Sequence, residues 1–279
     1  MERHDISELK EDAKLIRADI IRMVEASGSG HPGGSLSSAD IMATLFFNEM
    51  RHDPKNPEWP DRDRFILSKG HCTPVLYATL ARAGYIPKEE IYTFRKLKSR
   101  LQGHPGKEEL PLLEASTGSL GQGLSVSVGM ALAAKLDKRP ISVYCLMGDG
   151  EQQEGMVWEA AMSASHFKLD NLCAIVDVNK MQLSGTTEQV MNIEPLAKKY
   201  KAFGWRVIRV NGHRIKSLLW AFRFFKWCRG WNKPVVILAD TIKGKGVGFM
   251  EGRVEWHGQA PNKQEALLAL KDILGDTGG

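Results

Sequence analysis

Cysteine is scarce in this sequence of 279 residues, and no Cys-x-x-Cys pair occurs. Neither a zinc motif nor a dithiol redox motif is therefore indicated. Cys145 and Cys173 fall inside apolar runs, where a free thiol behaves as a small buried side chain. Cysteine usage of this kind favours a reducing compartment, and we expect a cytoplasmic protein. The four cysteines are Cys72, Cys145, Cys173 and Cys228.

Long apolar runs and clusters of basic residues are also absent from the sequence. No uninterrupted apolar stretch approaches the length of a membrane span, and the N-terminal residues are polar, so we expect no membrane association and no secretion signal. The net charge is +5, from 38 basic and 33 acidic residues. Because the basic residues are dispersed, this balance suits an anionic small ligand and does not favour nucleic-acid binding.

The sequence has 43% hydrophobic and 25% charged residues, an ordinary globular composition. Strand-like runs alternate with helical patterns, which predicts an α/β fold with a mostly parallel central sheet and helices on both faces. Without an internal repeat or a long linker, we expect one domain over residues 1–279. Strands are expected at 61–68, 141–147, 172–178, 205–210 and 235–239. Helices are expected at 6–27, 38–49, 73–83, 87–97, 124–136, 154–167, 195–203, 215–229 and 262–274, with loops at 27–34 and 180–187 and a tail at 276–279.

A Gly-Asp-Gly turn follows the second predicted strand, and Asn179 follows the third. If these strands are parallel neighbours, Asp149 and Asn179 emerge together at the carboxyl edge of the sheet, where ligands bind in open α/β folds. Carboxylate and amide oxygens suit Mg²⁺ or Ca²⁺. The flanking Gly148 and Gly150 allow backbone N–H groups to approach a phosphate closely. The tripeptide alone is a common turn, but its order with the strands and Asn179 is that of a diphosphate-metal motif.

Four of the eight histidines share a setting in glycine-containing loops. Any one of them is typical of a loop residue bonded to backbone, but four in similar contexts indicate a site. Histidine can bind phosphate, donate to a carbonyl oxygen or transfer a proton near neutral pH. No His-x-x-x-His pair is present, which argues against zinc. The four residues are His31, His71, His104 and His257, whereas His4, His52, His166 and His213 are interpreted as surface or structural.

Aromatic residues cluster in the predicted helix 215–229. The pattern is that of an amphipathic helix packing its rings on the sheet or between subunits, rather than of a nucleic-acid or membrane surface. The rings belong to Trp220, Phe222, Phe224, Phe225 and Trp227.

Six motifs, in order, resemble the amino-terminal half of transketolases, and above all the N-terminal subunit of a split transketolase. The resemblance runs from about residue 27 to 257, and six ordered motifs are far more specific than one. The motifs are Ser29-Gly-His-Pro-Gly33, Ser68-Lys-Gly-His71, Gly103-His-Pro105, Thr117-Gly-Ser-Leu-Gly-Gln-Gly123, Met147-Gly-Asp-Gly-Glu-Gln-Gln-Glu-Gly155 and Asp177-Val-Asn-Lys180.

The resemblance implies thiamine diphosphate (ThDP) and Mg²⁺ as cofactors, in a ThDP-binding fold of the diphosphate-binding type. The metal ligands would be the side chains of Asp149 and Asn179 and the backbone carbonyl of Met181. The residues that contact the cofactor's diphosphate or its reactive rings would be His71, Gly118, Leu120, Gly150, Asn179 and His257.

The implied reaction transfers a two-carbon ketol unit from a ketose phosphate to an aldose phosphate. His31 and His104 would face the substrate oxygens, and His257 would join them in catalysis. Glu154, with Glu159, would belong to a glutamate network that links two active sites across an interface. Arg95 is expected in the substrate channel.

The resemblance also implies a missing half. A full transketolase carries a pyrimidine-binding module whose glutamate activates the cofactor, and a C-terminal module; neither is expected here. We therefore expect a partner C-terminal subunit, self-association as a dimer in an α2β2 assembly, and activity only with the partner. Two alternatives stay open: another ThDP-dependent ketol or acyloin transferase, such as a deoxyxylulose-phosphate-synthase-like or sugar-specific relative, and a non-catalytic ThDP-binding relative.

A P-loop or Rossmann nucleotide-binding protein is disfavoured. The sequence has no Gly-x-x-x-x-Gly-Lys-Ser/Thr, and the glycine loop at 118–123 departs from Gly-x-Gly-x-x-Gly.

Overall fold

Strands and helices alternate along the chain, as the sequence predicts. The computed structural model describes residues 3–275, so the expected tail at 276–279 lies outside the described residues. In this range the strands are β1 (Arg64–Leu67), β2 (Val143–Gly148), β3 (Leu172–Val178), β4 (Met181–Gln182), β5 (Gly185–Thr186), β6 (Arg206–Asn211) and β7 (Val235–Asp240). The α-helices are α1 (Ile6–Ser27), α2 (Pro32–Ser37), α3 (Ala39–Thr44), α4 (Thr73–Arg82), α5 (Gln122–Leu136), α6 (Gly155–His166), α7 (Thr187–Val190), α8 (Leu196–Ala202), α9 (Ile215–Trp227) and α10 (Lys263–Leu274).

A five-stranded sheet in the order β1-β2-β3-β7-β6 forms the centre, and all its neighbouring pairs are parallel. After β3 the chain crosses to the edge strand β6 and returns to β7, so the strand order reverses between β3 and β7. The crevice outside the carboxyl ends at such a point is where open α/β sheets bind ligands. The segment expected as a loop at 180–187 contains the small antiparallel hairpin of β4 and β5.

Both faces of the sheet are covered by helices, which confirms the predicted fold class. Along β3, Cys173 and Ile175 belong to one apolar core and Ala174 and Val176 to the other. This alternation follows from the two-residue period of a strand. Helices α1, α3, α4 and α9 supply the first core, and α5, α6 and α8 supply the second.

The first two helices begin at residues suited to a helix N-terminus. Asp5 caps α1 in a capping box with Glu8, and Gly28 ends it with a left-handed backbone, φ 62°. Pro32 occupies the first turn of α2, a position that needs no N–H donor. The expected loop 27–34 therefore ends at His31. The expected helix 38–49 is divided, because α3 continues as a π-helical turn at Leu45–Glu49.

The predicted helix at 87–97 is wrong beyond a short 3₁₀ helix, Lys88–Thr93. Phe94 leaves the helical region, with φ −47° and ψ 128°, and is fully buried, and Arg95 and Lys98 have positive φ values of 57° and 66°. Burying the Phe94 ring turns the chain out of helical geometry. This places Arg95 against Ser29, whose Oγ accepts a hydrogen bond from Nη1 at 2.6 Å.

The aromatic residues of α9 divide between two environments. Phe222 and Phe225 are buried against Tyr144, with ring centroids 6.1 Å and 5.5 Å away. Trp220 and Trp227 are 55% and 63% exposed. The predicted packing on the sheet is confirmed for these phenylalanines; the two tryptophans do not pack on the sheet, and for them the alternative of packing between subunits stays a prediction. No helix within residues 3–275 is both long and apolar enough to cross a membrane.

Candidate active site

Four buried ionisable side chains lie at the carboxyl ends of neighbouring strands. Lys69 follows β1, Asp149 follows β2, Asp177 lies near the end of β3, and Lys243 follows β7. Each is at most 2% exposed. Since the strands are parallel and adjacent, groups far apart in sequence gather at one edge of the sheet.

The Asp177 carboxylate is fully paired. Lys69 Nζ lies 2.6 Å from Asp177 Oδ2, and both side chains are buried. The hydroxyls of Ser37 and Thr241 also donate to this carboxylate. Burial acts to raise the pKa of Asp177, but Lys69 and the hydrogen bonds outweigh it and hold the pKa below its usual value. Asp177 is therefore ionised and structurally satisfied.

Asp177 also fixes the orientation of the Asn179 amide. Asn179 Nδ2 donates to Asp177 Oδ2 at 3.0 Å, while Asn179 Oδ1 accepts from the backbone N–H of Met181 at 3.1 Å. Because the amide nitrogen is committed to a carboxylate, the oxygen must take the other position. The sheet edge thus presents an amide oxygen beside Met181.

The Asp149 carboxylate accepts hydrogen bonds from neutral donors, whereas that of Asp177 also accepts one from a charged donor. The donors to its two oxygens are the backbone N–H groups of Gly150 (2.8 Å) and Lys180, which are neutral. Burial, and then the nearby charge of Asp177, raises the pKa of Asp149 to about 7. The contact with Lys180 places Asp149 next to Asn179, as the strand-end argument predicts.

Three of the loop histidines meet in one cluster. The ring centroids of His31, His71 and His257 are 5.2–5.6 Å apart in all three pairs. Burial lowers the pKa of His31 and of His71 to about 4 and that of His257 to about 3, with nearby His71, Lys69 and Lys243 respectively adding repulsion. These imidazoles are neutral at pH 7 and can each donate or accept a proton.

Lys243 supplies the cation of this cluster. Its Nζ lies 2.6 Å from His257 Nδ1 and 3.4 Å from the carbonyl oxygen of Met181. Burial lowers the pKa of Lys243 to about 8. At neutral pH the ammonium form still prevails, so the site carries a buried positive charge suited to an anion.

His104, the fourth loop histidine, lies over the glycine loop. A Cβ on Gly118 would come within 3.1 Å of the His104 ring, and Gly118 has a φ of 155° that L side chains rarely adopt. A Cβ on Gly70 would meet the Gly118 nitrogen at 2.8 Å. The loop is secured at Gly121, whose N–H donates to Glu151 Oε1 at 2.8 Å. Close backbone packing therefore requires glycine here.

A cavity of about 290 Å³ lies at this edge of the sheet, and His31, His104 and Gly118 lie outside its lining. It contains most of the residues that the sequence singles out, including Leu120 and Glu154 at its exposed rim. Its polar lining includes Lys69, His71, Asp149, Asn179, Lys243 and His257.

Two further expectations have mixed outcomes. Glu154 and Glu159 are both exposed near the start of α6, and only Glu154 reaches the cavity. Arg95 lies beside His31 and His104, since its charge contributes to lowering the pKa of each. An interface role for the glutamates and a channel role for Arg95 stay predictions.

Three buried residues of the site were given no role from sequence. A signal was present for Asp177, because a carboxylate inside the apolar run Leu172–Val178 must be paired when buried. Lys69 and Lys243 each follow a strand, but nothing local distinguishes them from exposed lysines. Their burial follows from the sheet order.

Comparison with known proteins identifies the family. Residues 9–277 match the family described as transketolase, thiamine diphosphate binding domain. The chain is 44% identical over 257 residues to an apulose-4-phosphate transketolase subunit of Phocaeicola vulgatus, covering 92% of this chain and 90% of the relative. It is also 44% identical over 266 residues to the 6-deoxy-6-sulfo-D-fructose transketolase subunit SqwG of a Clostridium species, covering 95% and 96%.

Longer relatives match over less than half of their length. Human transketolase is 41% identical over 273 residues, which cover 98% of this chain and 43% of that protein. The crystal structure of Campylobacter jejuni transketolase superposes with a TM-score of 0.91 at 36% identity, over 97% of this chain and 43% of that one. With the motifs and the site geometry, these matches favour transketolase over the alternative ThDP enzymes. The chain belongs to the transketolase family, as an N-terminal, thiamine diphosphate-binding subunit of the kind found in split transketolases.

Proposed function

We propose that this chain holds the diphosphate end of ThDP through Mg²⁺ and, with a separate C-terminal subunit, transfers a two-carbon ketol unit from a ketose phosphate to an aldose phosphate. The observation that carries the proposal is the convergence of Asp149, Asn179, His71 and His257 on one cavity at the sheet edge, with the ring of His31 in contact with both histidines.

The residues fit a divalent metal. Asp149 is a buried carboxylate whose donors are neutral, so a bound cation would offset its charge and favour ionisation. Asn179 presents an oriented amide oxygen, and Met181 adds a backbone carbonyl. Three oxygens leave positions for water and phosphate, which is how proteins usually hold Mg²⁺. We assign Mg²⁺ to Asp149, Asn179 and Met181, with Ca²⁺ as the alternative.

The residues also fit a diphosphate. Lys243 brings a buried ammonium, and His71 and His257 bring ring N–H donors. Gly150 is covered so closely by Gln182 that a Cβ would come within 3.2 Å. We assign diphosphate contacts to His71, Gly150 and His257, and contacts with the reactive rings to Gly118 and Leu120.

The sugar would enter beside His31 and His104. When bound, ThDP supplies a carbon nucleophile that carries the two-carbon unit. Neutral His31, His104 and His257 can accept a hydroxyl proton from the sugar, return it and donate to a carbonyl oxygen that gains negative charge. Arg95 would place a positive charge at the same mouth. The relatives' named sugars carry a phosphate or a sulfo group, and we propose sugar phosphates here.

Self-association is supported by the outer face of α5 and α6. Leu136 and Met162 are 73% and 59% exposed, and Gly129 has open space where a Cβ would stand. An α5 helix that is apolar on all sides favours burial against another protein surface. We propose that two copies meet here, with Glu154 and Glu159 at the contact, in an α2β2 assembly.

The partner follows from the relatives' architecture. The subunits match this chain over most of their length, whereas full transketolases contain more than twice as much sequence. We propose that residues 1–279 form a single diphosphate-binding domain and that another chain supplies the pyrimidine-binding and C-terminal modules. Four free buried cysteines fit a reducing, cytoplasmic location.

Reconstitution tests this function. The purified chain, a C-terminal transketolase subunit expressed with it, and their complex are assayed with ThDP, Mg²⁺ and a ketose phosphate/aldose phosphate pair. Turnover is expected only in the complex and is lost when Asp149→Ala replaces the wild type. Robust turnover by the chain alone, or by the Asp149→Ala complex, would contradict the proposal.

A further inference from the structure

The segment that carries Lys243 is anchored mainly through backbone contacts. Gly244 N–H donates to the Gly33 carbonyl at 3.0 Å, and the Lys243 carbonyl accepts from Gly252 N–H at 2.9 Å. Lysine has a long side chain with high conformational entropy, so holding Nζ at one point is unfavourable unless the attached backbone is also fixed. The position of Lys243 Nζ beside His257 therefore depends on how firmly the backbone around Lys243 is held.

One side chain, that of His213, binds this backbone immediately before Lys243. Its Nε2 lies 2.8 Å from the Ile242 nitrogen, and its Nδ1 lies 2.8 Å from Asp40 Oδ2. Since Ile242 N–H can only donate, Nε2 must accept. Nδ1 therefore carries the proton and donates to Asp40.

Asp40 is itself fixed by an ion pair with Arg17, and both side chains are buried. Burial acts to raise the pKa of Asp40, but Arg17 and His213 outweigh it, so the pKa is lowered. The carboxylate is thus available as a permanent acceptor that selects the His213 tautomer. We call Arg17, Asp40, His213 and the Ile242 N–H the anchoring chain.

The turn that presents His213 is pressed against the segment after β7. Gly212 N–H donates to the Asp240 carbonyl at 2.8 Å, and a Cβ on Gly212 would lie 2.5 Å from Thr241 Cγ2. Only glycine permits this approach, which brings the imidazole within reach of Ile242. The cleft beside this contact, about 430 Å³, is lined by His213 and Lys243 and also by Asn179 and Met181.

We propose that His213 is a positioning residue for the cofactor site: through Nε2 it fixes the Ile242 backbone and so places the Lys243 ammonium beside His257. This inference rests on the proposed function for its consequence in cofactor binding. The placement of Lys243 is a property of the chain alone and can be measured without cofactor.

Two substitutions distinguish a role of His213 in fixing the Ile242 backbone from a role limited to its hydrogen bond with Asp40. In His213→Gln, the amide lies near the former Nε2 and can still accept from Ile242. In His213→Asn, the amide lies near the former Nδ1 and can still donate to Asp40 but falls short of Ile242. If His213 acts through Ile242, the Gln variant retains the effect and the Asn variant loses it.

The first readout uses the chain without cofactor. Hydrogen exchange at the Ile242 amide and covalent labelling of Lys243 by reductive methylation are followed by mass spectrometry or NMR, with exposed Lys216 as the internal reference. We expect at least about tenfold faster exchange and labelling in His213→Asn, and nearly wild-type values in His213→Gln. Equal protection in folded wild type and both variants would overturn the proposal, as would equal loss in both.

The second readout is the affinity for ThDP with Mg²⁺, measured by calorimetry. We expect about tenfold weaker binding for His213→Asn, typical of residues that orient a ligating group. In the Lys243→Met variant, His213→Asn should cause almost no further loss of ThDP affinity, because His213 acts on the cofactor only through Lys243. Additive losses would show that His213 acts independently of Lys243. Failure of the wild type to bind ThDP would count against the proposed function, while the cofactor-free readouts still decide the role of His213.

Discussion

Two carboxylates lie at adjacent strand ends, Asp177 near the end of β3 and Asp149 after β2. Both are buried, but Asp177 has an ion-pair partner and Asp149 has none within residues 3–275. Asp177 is neutralised by Lys69 and surrounded by hydroxyl and amide donors, and its pKa is lowered. Asp149 is held by two neutral backbone donors, and its pKa is raised to about 7. The charge of Asp177 is compensated by an ion pair inside the fold, whereas Asp149 forms no ion pair within residues 3–275, so a bound cation would supply its compensating charge.

The difference separates structural from functional charge. A buried carboxylate that lacks a compensating cation costs stability unless a ligand supplies one. Asp177 orients Asn179 and is not itself available, whereas Asp149 is available. Of the two, Asp149 is therefore the residue that a metal would contact, and Asp177 is the residue that keeps its neighbour in place.

The largest expected effect is on stability at Asp177. Asp177→Ala leaves Lys69 buried without its partner, which destabilises a protein by about 3–5 kcal/mol. Asp149→Ala removes an uncompensated carboxylate, and the cofactor-free chain should lose less than about 1 kcal/mol. Urea unfolding followed by circular dichroism measures both. If the two variants unfold at the same urea concentration, the contrast between these carboxylates is wrong.

The next effect is on cofactor binding at Asp149. Asp149→Ala removes a ligand of the proposed metal, and Mg²⁺-dependent affinity for ThDP should fall by about 100-fold. Asp149→Asn is the matched variant, because it keeps the size of the side chain while removing its charge. Titration calorimetry with Mg²⁺, and with EDTA as the control, gives the affinity. An unchanged Mg²⁺ dependence in both variants would remove Asp149 from the metal site.

Much of this arrangement follows from the sequence. Alternating apolar runs predict the parallel sheet, and consecutive strands carry Asp149 and Asn179 to one edge. Four histidines in similar glycine-containing loops predict one site, and three of them, His31, His71 and His257, do meet. Whether a residue directly follows a strand can be predicted from the neighbouring residues alone, which is why the positions of Asp149 and Asn179 follow from the sequence.

The pairing of Lys69 with Asp177 does not follow in the same way. The two residues are separated by 108 positions, and their contact depends on β2 lying between β1 and β3. Similarly, the failure of the predicted helix at 87–97 follows from a tertiary demand, the burial of Phe94, which outweighs helical propensity. Contacts set by strand order or by packing are decided far from the residues that make them.

The smallest effect is on the pH dependence of stability, and it adds a third kind of buried group to the comparison. His31, His71 and His257 have folded-state pKa values of about 4, 4 and 3, below the unfolded value of about 6.5. The unfolded chain therefore binds protons more tightly, so the histidines' contribution to stability is present above pH 6.5 and is lost as the pH falls towards 4.

The raised pKa of Asp149 acts in the opposite direction between about pH 4 and 7. The loss of stability from the three histidines should exceed the gain from the one carboxylate, so the Tm of the cofactor-free chain should fall by about 5 °C between pH 7 and pH 5. Calorimetry of Asp149→Asn should show a steeper fall, because the opposing group is gone, whereas His166→Asn, at an exposed histidine, should follow the wild type. A Tm that rises on acidification would mean that Asp149, not the histidine cluster, dominates proton uptake in this site.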